Sequence, residues 1–153
     1  MEIISAVDLF KINQSILKKI DKDVVNHGEE TAYIAYKIAQ ELGYSNNEID
    51  IIIRIAILHD IGAYKTEGVK NLKKFELSNT DRHSIYGYII LNNSKLFKQM
   101  SEAVLYHHHS YKNKDKFIKG IEIPKEAFLI GLADKVSIFC SLLNYDKKKL
   151  YIL

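Results

Sequence analysis

A chain of 153 residues with 47% hydrophobic and 27% charged side chains has the size and balance of one soluble globular domain spanning 1–153, and is too short to expect two. One proline and seven glycines are too few for the many reversals of a β-sandwich or barrel. The formal charge of +3 calls for neither a membrane surface nor specific nucleic-acid binding, and a single cysteine, Cys140, excludes an internal disulfide.

The amino-terminal MEIISAVDLFK carries an early acid and no basic lead into an apolar block, unlike a secretory signal. The longest apolar stretch, Ile49 to Leu58, is interrupted by Asp50 and Arg54 and is too short to span a bilayer. A cytoplasmic protein in a reducing compartment is expected.

Apolar spacing predicts a first helix over Ala6–Ile20, and a second from Lys22 to Gly43 with the glycine just past its end. The stripe of that second helix is Val24, Gly28, Thr31, Ala35, Ile38 and Leu42, with His27 beside it. Ser45-Asn46-Asn47-Glu48 has the pattern of a capping box and opens a third helix that runs to His59-Asp60, ended by Gly62. After a lysine-bearing loop to Asn79, Asp81 is expected to cap a fourth helix carrying His83, Tyr86, Gly87 and Ile90. Ser101 is expected to cap a fifth with Val104, Leu105 and His108. A second loop, Ser110 to Ile123, precedes Pro124, which suits the first residue of a last helix through Leu143. Period-two alternation is never sustained, so the fold class is all-α.

Polar residues stand where apolar ones belong. His27, His59 and Asp134 fall on the inward stripes of three separate helices, and a buried carboxylate is costly unless paired or bound to a cation. Any one of them alone reads as a satisfied core residue; three together are harder to explain so. His59-Asp60 at a helix end can turn an imidazole and a carboxylate toward one site. His107-His108-His109 concentrates half of the chain's six histidines in one turn. Neutral imidazole is the commonest metal ligand, so these spacings point to a metal site.

These residues bring a family into view. The order His27, His59-Asp60, Asp134 resembles the H…HD…D signature of the HD-domain superfamily of metal-dependent phosphohydrolases. AILHDIGAY (Ala56–Tyr64) is similar to that family's core motif. HSIYGYIIL (His83–Leu91), the His107-His108 pair and KGIEIPKEAFLIGLADKVSIF (Lys119–Phe139) resemble consecutive blocks of its HD-GYP branch. The likeness runs from about Asp23 to Leu143. Two features of that branch are missing: the GYP tripeptide, since the chain reads HSYKNKDKFIKG after His108, and the lysine after the HD pair, which is Ala63.

The resemblance implies a compact helical bundle of about five to seven helices around two divalent metal ions, with a third in some members. Iron, manganese, zinc and nickel all suit such ligands. By the same resemblance His59, Asp60 and Asp134 hold the first ion. Asp60 bridges to a second held by His83, His107 and His108, and His27 is a ligand of the first or of an additional ion. Asp23 matches a glutamate of trinuclear members. A metal-bridged hydroxide would then attack phosphorus, with His59 and Asp60 at the reacting centre.

Further roles come from the residues themselves. His109 and Lys65 are candidates to assist the leaving group. Lys112, followed by Lys114, Lys116 and Lys119, is placed to attract an anionic substrate, although a solvated loop accounts for the same lysines. Tyr111 is a candidate to stack a base, and Cys140 reads as a small buried hydrophobe. The expected partner is a small phosphorylated or nucleotide substrate, with the oligomeric state open. Three activities are compatible with these features: a phosphodiesterase acting on a cyclic dinucleotide such as cyclic di-GMP, a nucleotidase or phosphomonoesterase, and a non-catalytic sensor. Retention of every ligand speaks against the third.

Overall fold

The computed structural model describes residues 15, 19, 22–65, 80–109, 117–118 and 121–143, with side chains from 24–63, 82–109 and 122–143. Ser15 and Lys19 are helical and exposed; the rest of the predicted Ala6–Ile20 helix lies outside the described residues. Among the described residues five α-helices follow: α1 (Lys22–Glu41), α2 (Asn46–Leu58), α3 (Thr80–Asn92), α4 (Ser101–Tyr106) and α5 (Lys125–Leu142). Short 3₁₀ turns occupy Ile61–Lys65 and Lys98–Met100.

Helix α1 presents Val24, Val25, Thr31, Ala32, Ala35 and Ala39 to the interior, and its small residues let neighbouring backbones come close. Gly28 illustrates the point, since a Cβ there would lie 3.0 Å from the Ile57 carbonyl oxygen of α2. The helix ends as its sequence predicts. Gly43 adopts φ 74°, its amide donates to the Gln40 carbonyl and the Tyr44 amide to the Ala39 carbonyl. This is a Schellman closure, and only glycine takes that φ without penalty.

The α2 capping box is formed as expected: the Glu48 amide donates to Ser45 Oγ, and the Ser45 amide donates to Glu48 Oε2 at 2.9 Å. Glu48 also accepts from Lys125 Nζ at 2.8 Å, tying the start of α2 to the start of α5. Ile49, Ile52, Ile55, Ala56 and Leu58 form the buried face of α2. With Leu91, Met100, Val104, Ile123, Ala127, Leu129 and Ile130 they make one core, where truncating a fully buried Ile52 to alanine costs roughly 2–5 kcal/mol. Helix α1 packs on α2 and α5, α3 on α4 and on the 3₁₀ turn after α2, and α4 on α5.

Several local expectations give way. Asp81 is not a cap, because α3 already begins at Thr80. Ser101 is the first residue of α4 and its hydroxyl donates back to the Lys98 carbonyl at 2.7 Å, because a 3₁₀ turn feeds directly into the helix and leaves no separate cap. Pro124 is the cap residue with ψ 135°, so α5 starts one residue later. The loop expected over Ser110–Ile123 contains a two-residue antiparallel ribbon, Phe117–Ile118 (β1) against Ile121–Glu122 (β2). Among the described residues no helix is long and apolar enough to cross a membrane.

Candidate metal centre

Five segments carry side chains to one place. His27 comes from α1, His59-Asp60 from the turn after α2, His83 from α3, His107-His108 from the turn after α4, and Asp134 from α5. Two glycines make this convergence possible. A Cβ on Gly62 would lie 2.0 Å from the His83 carbonyl oxygen, and one on Gly131 would lie 2.0 Å from that of His107. Each glycine lets one ligand-bearing backbone press against another. Gly62 therefore does not act as a left-handed helix terminator: its backbone lies in a 3₁₀ turn, and close approach is what it supplies.

Asp60 sits at the middle, 3% exposed, and its two oxygens face different imidazoles. Oδ2 lies 3.3 Å from His59 Nε2 and 3.8 Å from His27 Nε2. Oδ1 lies 3.2 Å from His83 Nε2 and 3.9 Å from His107 Nε2. Asp134 Oδ1 closes the first side, 2.9 Å from His27 Nε2 and 3.7 Å from His59 Nε2. His108 Nε2 closes the second, 2.7 Å from His83 Nε2.

Two imidazoles are oriented by their own backbone. His59 Nδ1 donates to the Ala56 carbonyl at 2.7 Å and His107 Nδ1 to the Val104 carbonyl at 2.6 Å. With one proton fixed on Nδ1, each ring turns its Nε2 inward, the orientation that metal-ligating histidines require. Yet His59 Nε2, His107 Nε2 and both Asp60 oxygens are buried without a hydrogen-bond partner. Thr31 Oγ1 and His109 Nε2 are likewise buried without one. Folded proteins rarely leave four polar atoms of three neighbouring residues, His59, Asp60 and His107, unpaired together.

The electrostatics separate the two sides. Burial alone would lower the His59 pKa, but the Asp60 and Asp134 carboxylates outweigh it and hold the imidazole well above its ordinary 6.5. Burial would raise both carboxyls, and the neighbouring imidazoles reverse this: His59, His83 and His107 for Asp60, His27 and His59 for Asp134. On the other side burial and the closeness of a second imidazole, His108, push His107 well below 6.5, and burial with His83 takes His108 down to about 4.

The donor set fits divalent cations. His83, His107 and His108 form one group of potential ligands; His27, His59 and Asp60 a second; His59, His107 and Asp134 a third, each with its atoms within 4.8 Å of one another. Borderline-soft imidazole with carboxylate suits first-row metals.

All seven residues expected as metal ligands are thus brought together. His109 belongs to none of these groups: its ring packs 6.4 Å from that of Phe128 on α5. The backbone of Lys65 closes the 3₁₀ turn, but its side chain, like that of Asp23, lies outside the described residues, as do Tyr111, Lys112, Lys114, Lys116 and Lys119. Cys140 is half-buried and lines a cavity of about 490 Å³ with Asn26, Glu30, Tyr33 and Ser137, more open than a core position. Sequence reasoning passed over Ser137 and Glu30. Ser137 falls three residues after Asp134 on α5, the spacing that puts it on the same face.

Residues 24–138 match the HD domain family. The chain is 29% identical over 132 residues to a 3′3′-cGAMP-specific phosphodiesterase of Vibrio cholerae, which covers 86% of this chain and 31% of that protein. It is 30% identical over 125 residues to the cyclic di-GMP phosphodiesterase response regulator RpfG of Xanthomonas campestris, covering 76% of this chain and 32% of that one. A cyclic di-GMP phosphodiesterase of Thermotoga maritima is 26% identical over 140 residues, covering 84% and 38%. The chain spans about a third of the length of these relatives. No solved structure matches it significantly.

Proposed function

The chain belongs to the HD domain family, and from that premise we propose that it is a metal-dependent phosphohydrolase, specifically a phosphodiesterase acting on a cyclic dinucleotide or a related phosphodiester. The observation that carries this reading is the division of the Asp60 carboxylate, one oxygen toward His27 and His59, the other toward His83 and His107. One divalent ion would be held by His27, His59, Asp60 and Asp134, and a second by Asp60, His83, His107 and His108. When bound, such ions supply a water of lowered pKa and neutralise the charge of a phosphoryl group.

The protein's own contribution is positioning. The Ala56 and Val104 carbonyls fix the His59 and His107 rings, so little reorganisation remains when substrate arrives. Burial of His59, Asp60, His83, His107 and Asp134 keeps bulk water from screening the site. No side-chain nucleophile is required. Protonation of the leaving oxygen falls to His109, which directly follows the ligand pair, or to Lys65.

The substrate class rests on relatives that act, by their names, on 3′3′-cGAMP or cyclic di-GMP. A nucleotidase or other phosphomonoesterase is the second reading. It is favoured by Ala63, which is buried and offers no charged group where catalytic HD-GYP members carry lysine.

The test is metal analysis of protein purified without chelator, then hydrolysis assays with Mn²⁺ or Fe²⁺ added. Cyclic di-GMP, 3′3′-cGAMP, bis-(para-nitrophenyl) phosphate and mononucleotides would be compared. Turnover of the cyclic dinucleotides is expected; turnover of monoesters alone would favour the second reading. A folded His59→Ala protein with full activity would remove the mechanism.

A further inference from the structure

His59 and His107 are oriented by backbone carbonyls, but His27 is oriented by side chains. Its Nδ1 lies 3.1 Å from Ser137 Oγ, and Ser137 Oγ lies 3.2 Å from Glu30 Oε2. Ser137 is 1% exposed, whereas Glu30 is half-buried and, with Ser137, lines the cavity of about 490 Å³ between α1 and α5.

Proton counting fixes the direction of this chain. An ionised carboxylate only accepts, and a serine hydroxyl has a single proton to give. If Ser137 gives that proton to Glu30, its oxygen accepts from His27, so the His27 proton sits on Nδ1. The Nε2 lone pair is then directed at the space shared with Asp134 Oδ1, 2.9 Å away. At that distance Nε2 and Oδ1 are joined either by a proton, as a hydrogen bond, or by a cation held between them.

We propose that Ser137 and Glu30 are positioning residues that fix the His27 tautomer and aim its Nε2 at the ion on the Asp134 side. The inference rests on the metal-site reading above, and adds that this side is tuned from the cavity wall by two side chains. Neither residue belongs to the groups of potential metal ligands. Their influence passes wholly through His27.

The experiment is a double-mutant cycle on Mn²⁺ affinity, measured by calorimetry on the full chain, with wild type, Ser137→Ala, His27→Ala and the double variant. Outer partners of ligating histidines are typically worth on the order of ten- to hundredfold in metal affinity. Ser137→Ala is therefore expected to weaken one Mn²⁺ site by that factor in the wild-type background, and to do nothing further once His27 is gone. Ser137→Thr, which keeps the hydroxyl, should restore most of the affinity. Glu30→Ala, at a half-buried position that leaves the core intact, should weaken the same site and spare the other.

Equal weakening by Ser137→Ala with and without His27 would show a merely structural role and overturn the proposal. So would Mn²⁺ binding that Ser137→Ala and Glu30→Ala leave unchanged. A wild-type protein that takes up no Mn²⁺, Fe²⁺ or Zn²⁺ would overturn the metal-site reading itself, and this inference with it.

Discussion

The two halves of the site share the Asp60 carboxylate and meet again where His59 and His107 lie side by side, yet their surroundings differ. On one side His27 and His59 meet two carboxylates, and the His59 imidazole is held protonated between them. On the other, His83, His107 and His108 crowd together, and burial with mutual repulsion keeps His107 and His108 neutral. The first half is anionic and carries a proton that an incoming cation must displace. The second gathers three imidazoles around the shared carboxylate, with His108 Nε2 hydrogen-bonded to His83 Nε2. One carboxylate thus serves two kinds of cation site, and the difference lies in what surrounds it.

The sharpest way to break that comparison is to remove what the halves share. Asp60→Ala should abolish hydrolysis and binding of both ions, read by metal analysis and assay together. In metal-free protein it leaves the His59 imidazolium short of a partner, which costs roughly 3–5 kcal/mol in denaturant unfolding. His83→Ala should instead lower metal content from two ions to one, and loss of both would mean the halves are not separate sites.

Next come the glycines that press the segments together. Gly131→Ala places a Cβ 2.0 Å from the His107 carbonyl oxygen, which must retreat. We expect a loss of roughly 1–3 kcal/mol in stability, with metal lost from the His107 side before the His59 side. Equal loss from both halves would mean that α5 moves as a unit.

The pH response of metal-free protein should differ in sign between the halves. His108 has a folded pKa of about 4 against an ordinary 6.5, so the unfolded chain takes up its proton first. Its contribution to stability is present above 6.5 and lost as pH falls toward 4, at most roughly 3 kcal/mol. His59 behaves oppositely: with its pKa raised, its contribution is full below 6.5 and fades as pH climbs through the folded value. Unfolding of His108→Ala across pH 4–8 should show a flattened acid limb and an unchanged alkaline one.

The smallest effect lies outside the site. Lys125 and the Ser45 amide hold the exposed Glu48 carboxyl at about 2, below its ordinary 4.5. Its small stabilisation is present above 4.5 and declines only as pH drops toward 2. Glu48→Gln should trim stability slightly above 4.5 and leave metal content unchanged.

What the sequence disclosed follows the range of the forces involved. Helix α1 could be closed at Gly43 and α2 opened at Ser45 because those signals act within a few residues. His27, His59 and Asp134 were visible because polar groups on apolar stripes break the period. Gly62 was read as a terminator because nothing local says that His83, far along the chain, will press against it. The same blindness hid the Ser137–Glu30 pair, whose partners lie 107 residues apart, and the ribbon at Phe117–Ile118, too short for any alternation to register. The Ser101 cap failed because a preceding 3₁₀ turn had already begun the helix.

The most direct test of the central claim is anomalous diffraction from crystals of the chain grown with Mn²⁺. Two peaks are predicted, one against each oxygen of Asp60, the first shared with His59 and Asp134, the second with His83 and His107. A single ion out of reach of Asp60, or none among these side chains, would contradict the account.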